Sequence, residues 1–202
     1  MHSTTTNELI TFLRGRLDIA DLPQKLELDT SLWRAMDELW QRSVQHIAQG
    51  RVSEWGGVLV LDEKDNLKLV NVVKGTEKYL PLRRPTQHTF VGSFHTHPYS
   101  DGTTGIAFSG GDIADTINSG ELISIVQSGK EVFVLFRTEA TAPFADRYRL
   151  KFQYKALHDN YLAQGRSEQD AVHYTNMDLC EMYSLAFYSG QVFHPLEEVY
   201  KP

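Results

Sequence analysis

The sequence predicts an α/β protein: a mixed central β-sheet flanked by helices, with a C-terminal helical extension. Three observations carry that expectation. Apolar residues recur at helical spacing between Leu32 and Ile47. Two apolar runs, 57–61 and 67–73, flank the polar turn Glu63-Lys-Asp-Asn66 as a β-hairpin would. Later strands are separated by a short Gly-bounded helix, without strict β-α alternation.

Taken in order, residues 1–22 are polar with scattered Leu and Ile, and a short helix over Asn7–Arg16 is the expectation there. Asp29-Thr-Ser31 opens a clearer helix with Leu32, Trp33, Met36, Leu39, Trp40, Val44 and Ile47 on one stripe, stopped by Gly50. Such a stripe is the core-facing side of a helix packed on a sheet. After the hairpin, residues 75–87 read as a loop, with Gly75, Pro81, Pro85 and the pair Arg83-Arg84. His88 to His97 reads as the next strand, 98–108 as a Gly/Ser/Thr-rich loop, and Ser109-Gly-Gly-Asp112 as the start of a short helix ending near Gly120. Strands follow at 122–126 and 132–136, with Arg147–Leu150 as a further strand candidate. Pro143 marks a change: the last 60 residues hold 11 of the 22 aromatics, with helices expected near 151–163 and 168–188, the second capped by Ser167 and ended by Gly190. The expected division is therefore a unit over 1–142 and an aromatic-rich helical extension over 143–202 packed on it.

Composition narrows the function classes. At 202 residues, 41% hydrophobic and 23% charged, the chain can bury a sizeable core. No apolar run approaches the ~20 residues of a membrane-spanning helix, and the start lacks the pattern of a secretory signal. Acidic residues exceed basic ones by 26 to 20, giving −6, so no electrostatic footprint for nucleic acid or an anionic membrane is expected. Cys180 is the single cysteine, which excludes an intrachain disulfide and any metal site built on two thiolates. A cytoplasmic setting is the expectation.

Three features could carry chemistry together: Glu54 at a strand start, His95-Thr-His97-Pro98 at a strand end, and Ser109-Gly-Gly-Asp112 at a helix start. Each has an ordinary structural explanation, a surface glutamate, two unrelated histidines and a capping box. On a strand, side chains two apart share a face, so His95 and His97 can reach one point while Thr96 points away. Asp112 sits three residues after Ser109, on the same side of the first helical turn. Two imidazoles and one carboxylate are how catalytic zinc sites are built, although the set also suits other divalent metals. Glu54 can then act as base if its strand neighbours the histidine strand. Ser109 can serve an oxyanion if its hydroxyl points into the site instead of capping the helix.

The set Glu54-Trp-Gly-Gly-Val-Leu59, Gly92-Ser-Phe-His-Thr-His-Pro98 and Ser109-Gly-Gly-Asp112 resembles the JAB/MPN (JAMM) metalloproteases. These are zinc isopeptidases and peptidases that include deubiquitinating enzymes and their bacterial relatives. The resemblance covers roughly residues 25–140. It implies a JAB/MPN-like, cytidine-deaminase-like layout, one Zn2+ per chain on His95, His97 and Asp112, Glu54 as general base and Ser109 as oxyanion donor. It further implies a protein or peptide substrate, with cleavage after the C-terminus of a ubiquitin-like protein. A peptidase acting on unrelated peptides and a non-catalytic, metal-containing binding scaffold are the alternatives. Eleven residues separate His97 from Ser109, more than the family usually has, which bears on substrate fit. There is no HExxH, P-loop or GxGxxG, and Cys180 reads as a buried helix residue rather than a nucleophile.

Overall fold

A computed structural model describes residues 4–15, 18–76, 80–83 and 88–202. Arg16 and Arg84, parts of the expected first helix and of the arginine pair, lie outside the described residues. Eight strands form one mixed sheet: β1 (Lys25–Leu26), β2 (Trp55–Leu61), β3 (Leu67–Lys74), β4 (Thr89–Thr96), β5 (Ile123–Ser128), β6 (Glu131–Arg137), β7 (Leu185–Gln191) and β8 (Leu196–Tyr200). Their order is β1-β8-β7-β6-β5-β4-β2-β3. All neighbours are antiparallel except β4 and β5. Five α-helices accompany them: α1 (Thr4–Leu13), α2 (Thr30–Val44), α3 (Gly110–Ser119), α4 (Arg147–Ala163) and α5 (Glu168–Tyr183).

Alternation along the strands builds two cores. From β6, Val132, Val134 and Phe136 join Leu32, Trp33, Met36 and Leu39 of α2 and Leu9, Phe12 and Leu13 of α1 on one face. Phe133 and Leu135 join Ile113 and Ile117 of α3, Leu150 of α4 and Val172 and Leu179 of α5 on the other. The α2 stripe is thus core-facing, as its period predicts, and Asp29 caps the helix by accepting Ser31 N–H.

The hairpin, the histidine strand, the short helix and strands β5 and β6 occupy the expected segments. Beyond residue 137 three expectations are corrected. Arg147–Leu150 is the first turn of α4 and not a strand, because Asp146 accepts the amides of Tyr148 and Arg149, both at 2.9 Å. The helix expected over 168–188 stops at Tyr183, where Ser184 takes a left-handed φ of 53°. Residues 185–191 then pair antiparallel with β6 as β7, so Gly190 lies within a strand and ends no helix. The Leu-Ala-Phe-Tyr188 run is buried on both faces of the sheet, and its period cannot tell strand from helix. The segment after 142 is therefore a helix pair followed by two strands of the common sheet, and β8 reaches back to pair with β1.

The parallel β4-α3-β5 crossover positions everything that follows. It sets the N-terminus of α3 beside the C-terminal end of β4, the end of parallel strands where open α/β sheets gather their ligands.

Candidate metal centre

Strand β4 divides its side chains between the two faces. Phe94 enters the core under α2, and Thr96 Oγ1 lies 2.6 Å from Ser43 Oγ of α2 while accepting Trp55 N–H at 3.0 Å. Ser93, His95 and His97 point the other way, toward α3, and line one cleft of about 440 Å³. Pairing with β5 extends one residue past the strand, since His97 N–H donates to Gln127 O at 2.9 Å. That bond fixes the backbone that carries the second imidazole.

Asp112 arrives from α3. Ser109 caps the helix, accepting Gly111 N–H at 3.2 Å and Asp112 N–H at 3.3 Å, and Asp112 Oδ2 accepts Ser109 N–H at 2.8 Å. The capping box is therefore real. It does not withdraw Asp112 from the cleft: Oδ1 stands 3.5 Å from His95 Nε2, and Oδ2 3.4 Å from His97 Nε2. The two Nε2 atoms are 2.9 Å apart. One donor atom from each of His95, His97 and Asp112 falls within 4.8 Å of the other two. The cap uses the lone pairs of the Ser109 oxygen, and its O–H proton remains free to donate into the cleft.

Glu54 reaches the same place by register. Gly56 pairs with His95 across β2 and β4. Continued by two residues, that register sets Glu54 opposite His97. The Glu54 backbone is held by the chain after β3, donating to Thr76 O at 3.0 Å and accepting from Gly75 N–H at 2.8 Å. Gly56 allows the close approach: a Cβ there would lie 2.3 Å from Phe94 O. All five motif residues, Glu54, His95, His97, Ser109 and Asp112, line the cleft.

The outer shell of His97 comes from the long loop over 98–108. His97 Nδ1 lies 3.0 Å from Ala107 O, so a proton on Nδ1 would be accepted by that carbonyl, and a metal-bound His97 would use Nε2, the nitrogen that faces Asp112 and His95. Ile106, Ala107 and Phe108 are buried in the second core. The loop is also tied from outside: Gly105 N–H donates to Ser128 O, Gln169 Nε2 to Thr104 O at 2.7 Å, and Asn176 Nδ2 to Phe108 O at 3.0 Å. The extra length thus forms a packed support for one ligand.

Charges in the cleft reinforce one another. Burial opposes a charge on His97, but Asp112 and Glu54 together hold its pKa above the ordinary value. Burial likewise opposes ionisation of Asp112, and the two imidazoles outweigh it, leaving the carboxyl well below the usual range. Tyr99, which the motif reading does not single out, also lines the cleft. Its hydroxyl is pushed up to about 12, by burial first and then by the Asp112 and Glu54 carboxylates. Arg147 and Lys151 of α4 line it as well, and the strand expectation for 147–150 hid their helical spacing. Cys180 is fully buried on α5, away from the cleft lining, and burial pushes its thiol up. No helix among the described residues is long and apolar enough to cross a membrane. Comparison with protein families, with curated proteins and with solved structures gave no match.

Proposed function

We propose that the protein is a zinc-dependent hydrolase cutting a peptide or isopeptide bond, with ubiquitin-like C-termini as its substrate class. The observation that carries this reading is the convergence of His95, His97 and Asp112 in a cleft that Glu54 and Ser109 also line. It is joined by the resemblance of those five positions to the JAB/MPN pattern. The donor set fits the ion: two imidazoles and a carboxylate leave a fourth position open, and the Ala107 carbonyl would accept the Nδ1 proton of a His97 that ligates through Nε2.

When bound, zinc supplies a Lewis acid and lowers the pKa of a water from 15.7 to about 7. The remaining work belongs to the chain. Glu54 accepts the proton of the attacking water and returns it to the leaving amine. Ser109 donates its O–H to the carbonyl oxygen as charge develops there, while its lone pairs stay on the α3 amides. The capping box holds Asp112 at fixed distance from both histidines without a further partner.

Elemental analysis of the purified protein and of His97→Ala tests the metal. Stoichiometric zinc in the parent that vanishes in the variant is expected, and no divalent metal in either overturns the reading. Glu54→Gln should retain zinc yet lose about 10²–10⁴ in turnover of ubiquitin-like fusions. Turnover equal to the parent's would remove Glu54 from the role of base.

A further inference from the structure

The cleft has a wall that the five motif residues do not supply. Helix α4 crosses the start of α3, where a Cβ on Gly110 would lie 2.9 Å from Tyr154 Cβ and 3.2 Å from Lys151 Cα. Arg147 and Lys151, four residues apart and so on one side of α4, line the cleft beside Ser109 and Asp112. Gly111 lies against both of them. A methyl group at that position would lie 3.3 Å from Lys151 Cε, 3.4 Å from Ser109 Oγ and 3.5 Å from Arg147 Nη2. A lysine stem, a hydroxyl and a guanidinium nitrogen therefore pack around Gly111, next to Asp112.

The two cations are differently placed. Arg147 pairs through Nη1 with Asp115, which fixes the guanidinium and leaves Nη2 over Gly111. Lys151 has no ion pair among the described residues. The acidic side chains of the lining are Glu54, Asp112, Asp115 and Glu121, in a chain of net charge −6. Away from the metal position, a single anionic group entering this cleft is drawn to the α4 wall and repelled from the carboxylates. The nearby carboxylates favour a singly charged anion over a dianion such as phosphate.

We propose that Arg147 and Lys151 form a carboxylate-receiving subsite on the cleft wall, so that the preferred substrate carries an acidic side chain or a free terminal carboxylate next to the scissile bond. The position of that bond rests on the hydrolase reading above; binding of the carboxylate does not. Arg147 Nη2 and the Lys151 ammonium donate charge-assisted hydrogen bonds to the two carboxylate oxygens.

Three probes test it on the full-length protein by calorimetry: acetyl-Gly-Gly-Glu-amide, acetyl-Gly-Gly-Gln-amide, and acetyl-Gly-Gly-Gly with a free C-terminus. At least one carboxylate probe should bind about tenfold tighter than the glutamine probe, and which one does so identifies the source of the carboxylate. Lys151→Gln should erase that preference, whereas Lys155→Gln, whose ammonium pairs with Asp159 elsewhere on α4, should keep it. Equal binding of all three probes, no binding at millimolar concentration, or a preference that survives Lys151→Gln would overturn the subsite. The last result would put the carboxylate on the metal instead. A protein that discriminates the probes but hydrolyses nothing keeps the subsite and loses the hydrolase reading; one that hydrolyses without discriminating does the reverse.

Discussion

At Ser109 the side-chain oxygen accepts two amides of α3 while its proton stays available to the cleft, so stability and turnover should separate on substitution. Ser109→Ala removes both functions: loss of a cap costs about 1 kcal/mol, and loss of an oxyanion donor about 10²–10³ in kcat. Ser109→Asn keeps a capping acceptor and lacks the hydroxyl, so denaturant midpoints should stay near the parent's while kcat falls as in the alanine variant. Equal recovery of both quantities in Ser109→Asn would show that the hydroxyl serves only the helix. Cys180 offers a second residue-scale test. Burial raises its pKa above the ordinary 9.0. A raised value stabilises the fold below the unfolded pKa, and that contribution is lost as pH rises above about 9. The native thiol should therefore resist alkylation at neutral pH and react fully once the protein is unfolded in urea; rapid labelling of the folded protein would contradict the burial.

The loop over 98–108 and α5 act as one element in support of the candidate metal centre. Asn176 is fully buried and donates to Phe108 O, one residue beyond the carbonyl that receives His97 Nδ1. Asn176→Ala strands that buried carbonyl, costing about 1–3 kcal/mol, and should weaken zinc about 10–100-fold, the usual scale for an outer-shell partner. Competition with a chromophoric chelator measures it; unchanged affinity would uncouple α5 from the centre. A second element-scale test lies in the β2–β3 turn. The Lys68 ammonium first, then the Asn66 and Lys64 amides, hold the Asp62 carboxyl well below its usual range. A depressed carboxyl stabilises above its unfolded value and loses that contribution as pH falls, so Asp62→Asn should flatten the acid limb of the stability curve below about pH 4. These elements also show how far the pattern of residues could be read. The α2 stripe and the His-Thr-His alternation are legible because each buries one face, and periodicity then records that face. The role of 98–108 is not legible, since its support comes from Gln169 and Asn176, distant in sequence. The Leu185–Tyr188 strand is buried on both faces and erases the alternation that would announce it. The cations at 147 and 151 become neighbours only once a helix, nucleated by Asp146, replaces the expected strand.

For the molecule as a whole, the C-terminal segment is part of the sheet and not an appendage to it. Strand β7 covers the edge of β6 along its full length, and β8 ties that edge to β1. Further bonds close the two ends of the chain, Tyr188 Oη donating to Pro23 O at 3.1 Å and Lys201 Nζ to Leu22 O at 2.9 Å. Truncation after residue 142 would strip α4 and α5 from the second core and bare the backbone of β6, an open edge that invites aggregation. Such a fragment should be recovered insoluble or without cooperative unfolding; a soluble, cooperatively melting fragment that binds zinc would establish an independent unit over 1–142. The bond from Asn176 to the loop behind His97 carries a consequence for synthesis. On the ribosome, His95, His97 and Asp112 all emerge long before Asn176 and β7. A growing chain thus displays the candidate metal-binding side chains before the carbonyl behind His97 is anchored. Since metal affinity is gained with the fold around the ligands, a chain stalled before α5 should hold any metal on these three side chains more weakly than the folded protein does.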